Sequence, residues 1–160
     1  MSVRNIALGL LAVALLISSL PTAFAAEPED EIKRRGKVLQ FAQAVVGKQV
    51  GTGECWDLGA NALRYAGARP ANGYNFGKAI SLPKPGFIIQ FNNARFESNG
   101  SWNQMGSPHH TAVIERVNGN VITILQQNVN GVRKVSRATL DLSTKVSGSY
   151  TFYRPMAKVK

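Results

Sequence analysis

The chain has 160 residues, which suits one domain, and 19 Lys and Arg face 9 Asp and Glu for a net charge of +10. Such a charge favours anionic surfaces, but the basic residues are scattered apart from Lys33-Arg34-Arg35. No nucleic-acid motif accompanies them, so nucleic-acid binding is not expected. A single cysteine, Cys55, excludes an internal disulfide.

Met1–Asn5 carries one charge, Arg4, and Ile6 to Leu20 is almost wholly apolar. Pro21 breaks the run, and Ala23-Phe24-Ala25 gives the small-x-small pattern of a cleavage site. The run is shorter than the roughly 20 residues that span a bilayer, so residues 1–25 read as a secretory signal peptide rather than a stable membrane anchor. The expected product is a secreted or periplasmic domain, residues 26–160. Removing the leader removes Arg4 and leaves 18 basic against 9 acidic residues, a charge of +9. A chain of this length buries one core.

Asp30 is a candidate cap for a helix running to about Val46, with Ile32, Val38, Leu39, Ala42, Val45 and Val46 as its apolar stripe and Gly47 as its stop. A loop with two glycines, Gln49 to Glu54, follows. From Cys55 to Ala66 the spacing of Leu58, Ala62, Leu63 and Ala66 predicts a second helix, stopped by Gly67. Arg69 to Pro85 reads as an irregular connection, Phe87–Phe91 as a buried strand, and Asn92 to Pro108 as a long polar surface loop. His110–Val117 and Val121–Asn128 form a β-hairpin around Asn118-Gly119-Asn120. Asn130-Gly131 makes a further turn before Val132–Val135, and Tyr150–Tyr153 is a last short strand. Helices first and an antiparallel sheet afterwards give an α+β fold.

Cys55 stands where a glycine-bearing loop enters a helix. Unpaired N–H groups and the positive end of the helix dipole favour a thiolate there and can hold an oxyanion. A thiolate nucleophile needs a base, and the chain has two histidines, the adjacent His109 and His110. Neighbours on a strand point to opposite faces, so one of them can face Cys55. A third polar group should orient the ring, and the partner strand ends Gln126-Gln127-Asn128. A three-residue loop, Asn118-Gly119-Asn120, sets His110 opposite Asn128 and Gln126 opposite Ala112. A two-residue loop, Asn118-Gly119, sets His110 opposite Gln127 and His109 opposite Asn128. The first register is preferred, because it groups His110, Asn128 and Gln126 with Ala112, Ile114, Ile122 and Ile124. His109 then points away, toward solvent or the segment Asn92–Pro108. A metal wants a third ligand at a familiar spacing; none is offered, and neither metal nor other cofactor is expected.

Cys55-Trp56-Asp57-Leu58, His110-Thr111-Ala112-Val113-Ile114 and Ile122-Thr123-Ile124-Leu125-Gln126-Gln127-Asn128, in this order, resemble the CHAP family of amidase/endopeptidases. The resemblance covers about Gln49 to Asn128. It implies a papain-like fold with N-terminal helices, the cysteine at a helix start, packed on an antiparallel sheet. It also implies cleavage of peptidoglycan peptides. Cys55 matches the family's nucleophile, His110 its base, Gln126 its Glu and Asn128 its Asn. Gln49 resembles in spacing the oxyanion-hole glutamine of papain; Glu54 and Trp56 flank the nucleophile on the substrate side. Two positions depart from the pattern. Gln126 is neutral where the family has Glu, and Glu54 precedes the cysteine where the family more often has Gln. The expected function is a cysteine hydrolase acting as a monomer on peptidoglycan or another anionic cell-surface polymer. The alternatives are a domain of this fold that binds without cutting and a secreted effector acting on protein amides.

Overall fold

The computed structural model describes residues 27–159; the expected leader and its cleavage site lie outside the described residues. Glu29, Asp30 and Glu31 fill the first turn of helix α1 (Glu29–Ala44), where carboxylates offset the positive end of the helix. Pro28, not Asp30, is the residue at the N-cap. Helix α2 (Cys55–Tyr65) buries Leu58, Gly59, Ala60, Ala62 and Leu63. It ends at Gly67, whose φ of 63° lets Ala68 N–H reach the Leu63 carbonyl at 2.9 Å and Gly67 N–H the Arg64 carbonyl at 3.1 Å.

Among the described residues six strands form one antiparallel sheet: β1 (Lys78–Ile80), β2 (Ile88–Ser98), β3 (Ser101–Asn118), β4 (Val121–Gln126), β5 (Ser136–Asp141) and β6 (Lys145–Arg154). Their order across the sheet is β1-β6-β2-β3-β4-β5. Alternation divides the core in two. Ile88, Val113 and Leu125 point to the helices and pack with Val38, Leu58, Leu63 and Phe76. Ile89, Phe91, Ala112, Ile114, Ile122, Ile124 and Phe152 point the other way and pack with Phe96, Met105 and Leu140. Helix α2 lies close on β3 because Gly59 has no side chain. A Cβ there would stand 2.9 Å from the Phe76 ring and 3.1 Å from the Thr111 methyl.

The expected α+β balance, with helices as one layer on a sheet, is corrected by these elements. Among the described residues two helices of 16 and 11 residues accompany six strands, one of them 18 residues long. The domain is mostly antiparallel sheet, and half of its core lies on the face turned away from the helices. The segment from Asn92 to Pro108, expected as a loop, is the larger part of a hairpin. Ser98 pairs with Ser101 around Asn99-Gly100, whose φ values of 50° and 77° suit a two-residue turn with both central residues left-handed. The stretch from Arg69 to Pro85, expected as irregular, contains β1.

Neither expected turn joins β3 to β4. Asn118 pairs with Val121 across a two-residue turn, Gly119-Asn120. The register then shifts between Ile114 and Arg116, where Glu115 has no counterpart on β4, and Ala112 comes to face Gln126. Glu115 is 5% exposed. It accepts from Arg137 Nε at 2.7 Å and Nη2 at 3.0 Å, and from Gln43 Nε2 at 3.0 Å. The paired Arg137 holds the Glu115 carboxyl below the ordinary carboxylate range against the opposing effect of burial. This pair therefore stabilises the fold above the ordinary carboxylate range, and the contribution is lost as pH falls through the lowered folded pKa. Arg137→Ala is expected to cost about 1–3 kcal/mol at neutral pH, because a buried carboxylate loses its cation. Urea unfolding of the variant and wild type at pH 7 and pH 4 checks this, with the difference shrinking at the lower pH.

Candidate active site

The loop entering α2 is closed by one carboxylate. Asp57, in the first turn, accepts from Thr52 N–H at 2.9 Å, from the Thr52 hydroxyl at 2.7 Å and from Glu54 N–H at 3.3 Å. Gly51, at φ 59°, makes room for it, since a Cβ there would lie 2.7 Å from Asp57 Cγ. The turn leaves Cys55 as the first residue of α2, half-buried. Its N–H and that of Trp56 belong to the turn that has no intrahelical acceptor.

His110 stands on β3, 7% exposed, and its Nε2 lies 2.8 Å from the Gln126 amide oxygen. An amide oxygen only accepts, so it selects the form with the proton on Nε2. Nδ1 is then the nitrogen with a lone pair for the thiol proton. Burial lowers the His110 pKa below its ordinary 6.5, and the Gln126 contact opposes that shift.

Cys55, His110 and Gln126 line one open cavity of about 830 Å³, with Glu54, Trp56 and Asn128 on its walls. Asn128 does not bond the imidazole. Its φ of 61° turns the backbone away from the strand, and its Nδ2 donates to Glu54 Oε2 at 2.6 Å. Glu54 also pairs with Arg133 at 3.2 Å, so its carboxylate is shared between two partners beside the cysteine. Trp56 donates through Nε1 to the Gly73 carbonyl at 2.8 Å. Gln49 is exposed, directs its amide to the Gly51 carbonyl at 3.4 Å, and stands apart from the cavity wall. His109 bonds Asn92 through Nδ1 at 2.7 Å and packs against Tyr74 in a tilted arrangement with ring centres 3.9 Å apart. Both also border the cavity.

One residue gained a part that the sequence had not given it. Gln127 is fully buried and bonds the backbone of Val50 and Glu54. The only sequence signal was a second glutamine at the end of an apolar strand, and its partners lie more than 70 residues away.

The depressed His110 pKa has a thermodynamic sign. Its contribution to stability is full above the ordinary 6.5 and is lost as pH falls through the lowered value. An NMR titration of the His110 ring should give a pKa below 6.5, lower still in Gln126→Leu and higher in Gln126→Glu. A wild-type value above 6.5, or the reverse order of the variants, would contradict the assignment.

Residues 33–159 match the family model of the AIM3/BBC1 cysteine proteinase-fold domain. The match is to a cysteine proteinase fold, not to the CHAP amidases in particular. Altered inheritance of mitochondria protein 3 of Debaryomyces hansenii is 29% identical over 143 residues, covering 74% of this chain and 15% of that protein. The chain thus spans a small fraction of the relative's length. Two crystal structures of Ly7917, one with the hydrolyzing product of MDP, share the fold at a TM-score of 0.52. They are 20% and 21% identical, and the match covers 76% of this chain and 62% of Ly7917. With the family model extending from α1 through the final strand, the chain belongs to the AIM3/BBC1 cysteine proteinase-fold domain family.

Proposed function

We propose that the domain is a cysteine hydrolase of amide bonds, with Cys55 as nucleophile, His110 as base and Gln126 as the group that orients the ring. The observation that carries this reading is the placement of Cys55 at a helix start and the His110–Gln126 pair on the wall of one cavity. Cys55 Sγ attacks the carbonyl carbon as His110 Nδ1 takes the thiol proton. The oxyanion meets the free N–H groups of the first turn of α2, a role for which the exposed Gln49 is poorly placed. The imidazolium returns its proton to the leaving amine. Water then cleaves the thioester, and its proton passes through His110 to Sγ.

Peptides of the cell wall are the proposed substrate, as the CHAP resemblance suggested. Support comes from the leader-like residues 1–25, from the +9 charge without them, and from the fold shared with Ly7917, whose structure holds the hydrolyzing product of MDP. Export to the periplasm or the outside is part of the same proposal. A second reading, a domain that binds without cutting, is favoured by one observation. Gln126 is neutral and cannot stabilise an imidazolium by charge, although a neutral amide does serve as orienter in papain-like sites.

Amine release from peptidoglycan fragments and from simple peptide amides tests the reading. Cys55→Ala and His110→Ala should each lower kcat by on the order of 10⁴-fold or more, because members of one catalytic unit are not additive. Gln126→Glu should hold or raise it, since a carboxylate favours the imidazolium. Release from a peptide amide but not from wall fragments would move the substrate to protein. Absence of turnover on both, with ligand binding kept in Cys55→Ala, would establish the binding module instead.

A further inference from the structure

We infer that Gln127 is a positioning residue that sets Cys55 against His110; the inference rests on the hydrolase reading of this site. Its side-chain oxygen accepts from Val50 N–H at 3.1 Å. Its nitrogen donates to the Val50 carbonyl at 2.9 Å and to the Glu54 carbonyl at 2.6 Å. The amide thus satisfies both backbone groups of Val50 as a paired strand would, and its last N–H holds the residue directly before the nucleophile. It is 0% exposed and lies 77 positions from Val50. An amide fits this place and a carboxylate or hydrocarbon does not, because both donors and an acceptor are used.

The neighbouring residue gives this clamp its catalytic meaning. Gln126 grips the His110 ring at 2.8 Å. Two consecutive side chains therefore hold the two halves of the site, one the base and the other the loop that starts the nucleophile's helix. The separation of sulfur and imidazole is set through this dipeptide rather than through a direct bond between the catalytic side chains.

The test uses the full chain and compares Gln127→Glu and Gln127→Met with Ile124→Val. The last is a buried change on the face away from the helices, chosen to lower stability without touching the loop. The readouts are amide hydrogen exchange at Val50, Cys55 and Trp56, and the rate of Cys55 alkylation by iodoacetamide across pH. Both Gln127 variants should speed exchange at these three amides and shift the alkylation profile, with rates changed about tenfold or more. On a cleaved substrate kcat should fall with KM little changed, since geometry at the reacting atoms is lost. Ile124→Val should do neither at a matched loss of Tm. Exchange and alkylation in both Gln127 variants that match Ile124→Val would overturn the inference and leave Gln127 a core residue. His110→Ala with a wild-type alkylation profile would instead defeat the hydrolase reading, and the clamp would then be decided by amide exchange alone. Should Gln127→Glu fail to fold, Gln127→Met supplies the same comparison.

Discussion

Between His110 and the turn at Gly119-Asn120, β3 carries one more residue than β4 opposes, and that residue is Glu115. The turn alone would pair Gln126 with Val113, and Gln126 would then lie on the face opposite His110. The extra residue changes the parity and brings Gln126 across from Ala112, on the face of His110. A one-residue slip in a sheet exchanges its faces, and here the bulge performs that exchange once, locally. Burying a carboxylate at a bulge is costly unless it is paired. Arg137 from β5 and Gln43 from α1 supply the pairing, so a helix and a strand two places across the sheet together hold the bulge. The geometry of the imidazole thus depends on an ion pair on another part of the strand.

Cys55 is placed by the loop that precedes it. Asp57 closes the loop on itself from within, and Gln127 ties the same loop to the end of β4 from outside. Gly59 lets the helix approach Thr111, and Thr111 in turn donates to Gln90 at 2.6 Å within the sheet. The site lies where these two units meet. Its polar groups are shared, Gln126 with His110 and both Gln127 and Asn128 with Glu54, so the end of β4 and the two residues after it reach both parts of the site.

Much of the helical part was legible. The Cys55 start and the Gly67 stop depend on local chemistry, a carboxylate two residues into the turn and a glycine able to take positive φ, and both show in the sequence. The face shared by His110 and Gln126 was also reached, but through a three-residue turn. The structure has a shorter turn and a bulge that compensate, and a buried Glu115 gives no local sign of being the extra residue. The distal half of the β2–β3 hairpin was missed because Glu97 to Gln104 are exposed on both faces, which erases the alternation that marks a strand. Asn99-Gly100 was the readable signal there. Asn128 and Gln126 were both candidates for orienting the ring; the positive φ at Asn128 and its bond to Glu54 separate them, and an asparagine permits that conformation without announcing it.

The strand order places β6 between β1 and β2, although β6 is the last of these six strands to be made. Until about residue 154 has been made, β2 has β3 on one side and a bare edge of eleven residues on the other. Its Ile88, Ile89 and Phe91 are apolar and prone to pair with any available strand. The hairpin that carries His110 and Gln126 can form early from local contacts, whereas the seam that closes the sheet joins residues about 60 positions apart. Late, long-range closure of this kind is slow. During synthesis the domain therefore exposes a sticky interior edge beside a nearly complete β2–β3 hairpin, and a nascent chain is most vulnerable to misassociation in that interval.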